Sequence, residues 1–311
     1  MAKVKARTPE YWDGIKKVAI GQIDRWRRDL LKLFGPTLVF KIEFSPDPKR
    51  FSPTIRQKAA TVTIDVPEMF LLELDEAVKW MIEDVPFHDC ICLAKAYPED
   101  DISVTIWMHW LIWILNHELA HFYAGHLTLF QTSSWAEFEV AETCPGTGLL
   151  SDPEFRRALE LDADIFAAQA MFYSLGRMTK MEDWKILYGP QKGDVAKFAL
   201  CDIGLFMVPL CLELGHMAPK YGPSSTHPDA KARLLGVFPI AGWDVYFRTI
   251  GQREESHFHA FMEGIYEGVK NTFHIKESII HKPFEESEIE SARQLLLSAG
   301  MHKKTLVQTR R

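Results

Sequence analysis

Cysteine is scarce in this chain, and the few cysteines follow no regular spacing. The 311 residues contain five of them, an odd number. Small secreted domains use even, regularly spaced sets to build a disulfide framework, so that class of protein is excluded. The first residues are basic and lead into polar sequence without the apolar segment of a secretory signal. We therefore expect a reduced, cytoplasmic protein.

An excess of positive charge is also missing. The net charge is −6 and the pI is near 6.1, so nothing in the charge balance favours the phosphate backbone of a nucleic acid. We expect no nucleic acid as a partner. Repeats and low-complexity segments are absent as well, and a hydrophobic content of 47% predicts a folded chain with ample material for a core.

Long apolar segments are few. Residues 102–115 are apolar but fall short of the roughly 20 residues that a bilayer requires. Residues 198–217 are long enough, yet they include Asp202, Glu213 and His216, which are costly in lipid. We favour buried helices in a soluble domain and expect no membrane association. The alternative is a membrane-bound processing enzyme in which residues 198–217 span the lipid.

The chain does contain a His-Glu-x-x-His pattern, formed by residues 117–121 within an apolar run typical of a buried helix, residues 102–124. Residues four apart share a helix face, so His117 and His121 can bind one zinc ion. Glu118 is placed to act as general base on a zinc-bound water. The alternative is a pair of core histidines with other partners. We favour zinc because burying these side chains without partners costs several kcal/mol.

A third ligand is available from a later acidic segment. Glu160 and Asp164 lie four residues apart in a pattern that stays helical from residue 151 to residue 176. Small residues in both segments allow the two helices to approach closely. We predict that Glu160 completes the zinc site and that Asp164 accepts the ring N–H of a ligating histidine. The alternative is a solvated acidic face.

His-Glu-x-x-His followed by Glu-x-x-Ala-Asp resembles the gluzincin metallopeptidases, particularly the family of HtpX and the CAAX prenyl endopeptidases. The sequence is also similar to soluble ImmA/IrrE-type proteases and to the Lit phage-exclusion peptidase type. The resemblance implies zinc bound by His117, His121 and Glu160, with Glu118 as the base. It therefore implies a zinc-dependent metalloendopeptidase that acts on a protein or peptide.

The resemblance extends to residues 225–233, which contain a His-Pro pair and end in arginine. It would place this segment and the loop before it over the cleft, where Tyr221, His227 or Arg233 would stabilise the oxyanion. Two other functions stay open. One is a regulatory protease or toxin of the phage-exclusion or stress type with a single host target. The other is a non-catalytic zinc-binding adaptor, which would have no use for Glu118.

The predicted fold is α+β, mostly helical and zincin-like, with a small N-terminal antiparallel sheet and the two ligand-bearing helices packed together. Alternating apolar residues predict strands at 40–44 and 61–66, and helices are predicted at 9–34, 68–83 and 285–298. We expect one peptidase domain over residues 1–275. Its helix and sheet lie in residues 1–100 and its catalytic helices in residues 101–240, and a C-terminal helix and basic tail follow in residues 276–311.

Three further predictions concern the surroundings of the site. Residues 61–65 are the candidate edge strand for pairing with an extended substrate, although an edge strand without a ligand is equally consistent with the pattern. Residues 127–150 form either a lid or a specificity insert. His126 is not expected to be a fourth ligand, because five residues after His121 it faces away on a continuous helix.

Overall fold

A small sheet and two long helices make up most of the part of the chain that the structure describes. The computed structural model describes residues 9–14, 16–17, 20–21, 24, 37–46, 53–72, 74–76, 99–127, 136–138, 152–178, 291 and 294. The strands are β1 (Val39–Ser45), β2 (Thr54–Lys58), β3 (Thr61–Pro67) and β4 (Ala136–Phe138). The long helices are α1 (Glu99–Tyr123) and α2 (Pro153–Met178).

The four strands form a mixed sheet in the order β1-β3-β2-β4. β2 and β3 make an antiparallel hairpin through a tight turn in which Ala59 has a φ of 50°. β4 pairs antiparallel with the other side of β2, whereas β1 pairs parallel with β3. The predicted antiparallel sheet is therefore only partly right. β2 follows β1 in the sequence, but β3 lies between them in the sheet and runs parallel to β1.

β3 is a central strand, which overturns one prediction. Val62, Ile64 and Val66 are buried as their alternation predicts, but Thr63 and Asp65 on the opposite face are buried too. Both edges of β3 are hydrogen-bonded, one to β1 and the other to β2. The interpretation of residues 61–65 as an edge strand open to a peptide is wrong, because no backbone donors or acceptors are left for one.

β2 is a strand that the alternation of apolar residues does not reveal. Its sequence, Thr-Ile-Arg-Gln-Lys, has a single large apolar residue, Ile55, which is fully buried. The strand exists because its hairpin with β3 supplies the hydrogen bonds and the tight turn. Its other edge carries β4, which lies within residues 127–150, so that part of the predicted lid or insert extends the sheet.

α1 is the core helix, as its apolar composition predicts. Trp107, Leu111, Leu115 and Leu119 recur every four residues and are almost completely buried. The helix contacts α2 and the strands β2 and β3, and Phe122 stacks edge-on against Phe40 of β1 with ring centroids 5.5 Å apart. Burial of this row of side chains anchors the helix between the sheet and α2.

α2 begins at a capped end. The carboxylate of Asp152 accepts a hydrogen bond from the backbone N–H of Glu154 at 2.9 Å, and Pro153 occupies the first helical position. The predicted helical segment is thus present, with Asp152 as the capping residue. The helix extends to Met178, two residues beyond the predicted end.

The remaining described residues agree with the predicted helices where they can be compared. Residues 68–72 and 74–76 are helical directly after β3, as are the described positions between 9 and 24 and residues 291 and 294. None of the helices in the described part of the chain is long and apolar enough to span a bilayer. Residues 198–217 and the proposed boundary at residue 275 lie outside the described residues.

Candidate metal centre

The site lies where α1 and α2 pack against each other. Ala120 of α1 and Ala163 and Ala167 of α2 are buried with essentially no exposed surface. Such small side chains let two helices approach closely. His117 and His121 of α1 consequently face Glu160 of α2, and all three side chains are buried.

Three candidate ligand atoms converge between the helices. The Nε2 atoms of His117 and His121 lie 3.2 Å apart. The carboxylate of Glu160 places Oε2 at 3.1 Å from Nε2 of His117 and Oε1 at 3.7 Å from Nε2 of His121. One atom from each of the three residues lies within 4.8 Å of the others, and all three residues are buried.

Asp164 determines which nitrogen of His117 faces this cluster. Its Oδ1 lies 2.8 Å from Nδ1 of His117. A carboxylate oxygen accepts and does not donate, so the Nδ1–H of His117 is the donor. In the neutral ring Nε2 then carries the lone pair, and it is this nitrogen that points toward His121 and Glu160.

The electrostatics of the site favour a positive charge between the rings. Burial by itself lowers the pKa of His117, but hydrogen bonds to Asp164 and Glu160 and the charges of both carboxylates outweigh burial and raise the pKa to about 10. Burial lowers the pKa of His121 well below its usual value. Without a metal, His117 therefore carries a proton that a divalent cation bound there would replace.

The spacing of these atoms fits a tetrahedral metal ion. Zinc–nitrogen and zinc–oxygen bonds of about 2.0–2.1 Å separate two ligand atoms on a tetrahedron by roughly 3.3 Å. The observed separations of 3.2 Å between the histidine nitrogens and 3.1 Å between His117 and Glu160 are close to that value, and the 3.7 Å between His121 and Glu160 is somewhat longer. Two imidazoles and one carboxylate are also a donor set that leaves a fourth position for water in catalytic zinc sites.

Glu118 occupies the next position on α1 and is itself buried. Burial raises the pKa of its carboxyl to about 8; the positive charge of His117 lowers this pKa, and the negative charge of Glu160 raises it further. Its titration is therefore linked to the same cluster. Tyr221, His227 and Arg233, the predicted oxyanion-stabilising residues, lie outside the described residues.

His126 contacts the site, contrary to the sequence interpretation. Its Nδ1 lies 2.9 Å from Nδ1 of His121, and its Nε2 lies 3.2 Å from Oδ2 of Asp162. The interpretation assumed that the helix continues, but α1 ends at Tyr123 and Gly125 adopts a φ of 82°. This left-handed residue turns the chain, so that His126 comes back toward His121.

His126 and Asp162 have no predicted role in the site from the sequence alone. A signal was available in Gly125, since a glycine just after a helical run is the commonest C-terminal cap. Reading residue 125 as a helix end would have removed the reason for placing His126 on the opposite face. Asp162, between Glu160 and Asp164, offered no signal of its own.

Residues 56–239 match the family described as Peptidase U49. This segment is more than half of the chain and includes both ligand-bearing helices. The chain belongs to the Peptidase U49 family. This is a family of peptidases, which are hydrolases that act on peptide bonds, and it implies a protein or peptide substrate. No curated protein and no solved structure matches the chain.

The Peptidase U49 match supports the predicted peptidase class but no particular metallopeptidase family. It gives no specific support to the HtpX and CAAX prenyl endopeptidase family or to the ImmA/IrrE type. The resemblance to the Lit type and the zincin-like fold stay predictions. Among the residues that the structure describes, the cluster of His117, His121 and Glu160 is the feature that points to a metal.

Proposed function

We propose that this Peptidase U49 member is a zinc-dependent metalloendopeptidase. His117, His121 and Glu160 would hold the zinc, and Glu118 would move protons. The observation that supports this most directly is the convergence of three ligand atoms from two helices in the protein interior. Two imidazole nitrogens and a carboxylate oxygen within 4.8 Å of one another form a donor set suited to catalytic zinc.

Glu118 is the residue of this chain that would carry the proton transfer. A zinc ion held beside it would acidify water and polarise the scissile carbonyl as a Lewis acid. The Glu118 carboxylate accepts the proton of the attacking water and donates it to the leaving amine. Because burial raises the pKa of Glu118 to about 8, the carboxyl retains that proton more readily than an exposed glutamate would.

Residues outside the two helices would contribute to the reaction as well. The oxyanion would be stabilised by Tyr221, His227 or Arg233, as the resemblance to gluzincins implies. We propose that the substrate is a protein or peptide and that nucleic acid is not a partner, because the net charge is −6. We propose a cytoplasmic location because the cysteines are few and irregularly spaced.

The proposal is tested with Glu118→Gln and a matched control, Glu154→Gln. Both replace one carboxylate by an amide, but Glu154 lies exposed on the first turn of α2. New protein N-termini are counted by proteome-wide terminal labelling in cells that produce each variant, and the zinc content of each purified protein is measured. We expect new N-termini from the wild type and from Glu154→Gln. Glu118→Gln should bind zinc and produce none.

The same measurement separates the alternatives. If Glu118→Gln cleaves as fast as the wild type, Glu118 is not the base, and a wild-type protein without zinc would refute the metal assignment. A non-catalytic adaptor would bind zinc and generate no new N-termini in any variant. A regulatory protease with a single host target would generate new N-termini in one protein.

A further inference from the structure

His126 and Asp162 form a hydrogen-bonded chain that ends on His121. Oδ2 of Asp162 lies 3.2 Å from Nε2 of His126, and Nδ1 of His126 lies 2.9 Å from Nδ1 of His121. His121 and His126 are fully buried, while the side chain of Asp162 is 16% exposed. These hydrogen bonds thus connect the protein surface to one of the two candidate histidine ligands.

The chemistry of these groups fixes the proton positions in order. The carboxylate of Asp162 accepts, so Nε2–H of His126 donates to it. In a neutral imidazole the other nitrogen then accepts, which makes Nδ1 of His126 the acceptor for Nδ1–H of His121. His121 is left with its lone pair on Nε2, the nitrogen that lies 3.2 Å from Nε2 of His117.

His117 is oriented by a shorter route, through its direct hydrogen bond to Asp164. The two histidines are thus oriented by separate carboxylates on α2, one in direct contact and one through an intervening imidazole. Nε2 of both rings faces the carboxylate of Glu160. Carboxylates that orient the ligating rings in this way raise the affinity of a site for its metal.

We propose that His126 and Asp162 are positioning residues that hold His121 in the metal-binding tautomer and orientation. This inference rests on the proposed function, because it assumes that His121 is a metal ligand. The turn at Gly125 is then part of the site, because it brings His126 next to His121. In an uninterrupted helix, at 100° per residue, His126 would lie about 140° around the axis from His121.

Three substitutions measure how much His126 and Asp162 contribute to the site. His126→Phe keeps a planar ring but removes the acceptor for His121, whereas His126→Gln can still accept through its side-chain oxygen. Asp162→Asn leaves His126 in place and weakens its anchor. Leu127→Ala is the matched control, because Leu127 is buried in the same turn and has no polar group to contribute.

Zinc alone is the probe, with its affinity measured by competition with a chromophoric chelator. We expect His126→Phe to bind zinc about 10–100-fold more weakly than the wild type, with His126→Gln and Asp162→Asn in between and Leu127→Ala unchanged. Long-range proton–nitrogen NMR of the histidine rings should show the His121 proton on Nδ1 in the wild type. In His126→Phe it should redistribute between the two nitrogens in the metal-free protein.

Failure of this inference and failure of the proposed function give different results. If His126→Phe and Asp162→Asn bind zinc as tightly as the wild type and leave the His121 proton on Nδ1, the positioning role is refuted while the metal site stands. If the wild type binds zinc no better than His121→Ala, the metal site itself is refuted. If His126→Phe fails to fold, the zinc affinity and the His121 proton position of His126→Gln and Asp162→Asn test the positioning role instead.

Discussion

Nδ1 of His117 lies 2.8 Å from Oδ1 of Asp164, across the interface between α1 and α2. Both side chains are buried, and the contact joins residues that are 47 positions apart in the sequence. The bond orients one candidate ligand and adds a negative charge beside the site. Asp164 should therefore act on metal affinity without touching the ion.

The first prediction concerns this carboxylate. Asp164→Ala removes the acceptor for His117 and should weaken zinc binding by about 10–100-fold. Asp164→Asn keeps an oxygen that can accept the same N–H, although without the charge, and should lose less. Chelator competition measures both values. Equal affinities in the wild type and Asp164→Ala would show that the bond has no part in metal binding.

Removal of the metal should lower the thermal stability of the protein. An ion that binds only the folded chain stabilises it by about 2.7 kcal/mol when present at 100 times its dissociation constant. We expect zinc to raise the melting temperature of the chelator-treated wild type. It should have no effect on His121→Ala or Glu160→Gln, which each lack one ligand. Scanning calorimetry with and without zinc provides the measurement, and equal shifts in all three proteins would place the ion elsewhere.

The pKa of Glu118 predicts a pH dependence of stability in the metal-free protein. Its folded pKa is about 8, above the ordinary value of 4.5. Between these values the folded state binds the proton and the unfolded state does not, so this contribution to stability is lost as pH rises from about 4.5 to 8. It is fully present below that window.

Glu118→Gln removes this titration and isolates it from the other groups. The difference in melting temperature between Glu118→Gln and the wild type should therefore increase in favour of the variant from about pH 5 to pH 8. Above that range it should stay constant. A series of melts in the presence of a chelator measures the difference. A difference that is independent of pH would contradict the assigned burial of the carboxyl.

The turn after α1 gives a fourth prediction. Gly125 has a φ of 82°, and a Cβ built there meets no atom within 4 Å, so replacement by alanine is costly only through the backbone. We expect Gly125→Ala to lower the free energy of unfolding by about 1–2 kcal/mol, with Gly125→Asn less affected because asparagine tolerates this conformation.

Gly14 offers a control of opposite sign. It is an exposed helical residue with the same open surroundings and no left-handed backbone, so Gly14→Ala should increase stability by about 0.5–1 kcal/mol. Urea denaturation of the three variants measures these free energies. If Gly125→Ala were as stable as Gly14→Ala, the left-handed turn that returns His126 to the site would be wrong.

The sequence by itself determined the local parts of the site. The four-residue spacing of His117 and His121 requires only a helix, and the apolar run around them specifies that helix and its burial. The same holds for α2, whose cap at Asp152 and acidic residues on one face are readable from neighbouring positions. The strand at β3 was equally visible from its alternation.

Only the tertiary structure decided how these pieces meet. Placing β3 between β1 and β2 depends on pairing between distant segments, so its central position could not be read from its own pattern. The approach of Glu160 to two imidazoles depends on the contact between α1 and α2. The contact of His126 with His121 depends on a single left-handed glycine. Helical periodicity is a property of adjacent residues, whereas strand order, helix packing and the path of the chain after a helix depend on contacts made across the whole fold.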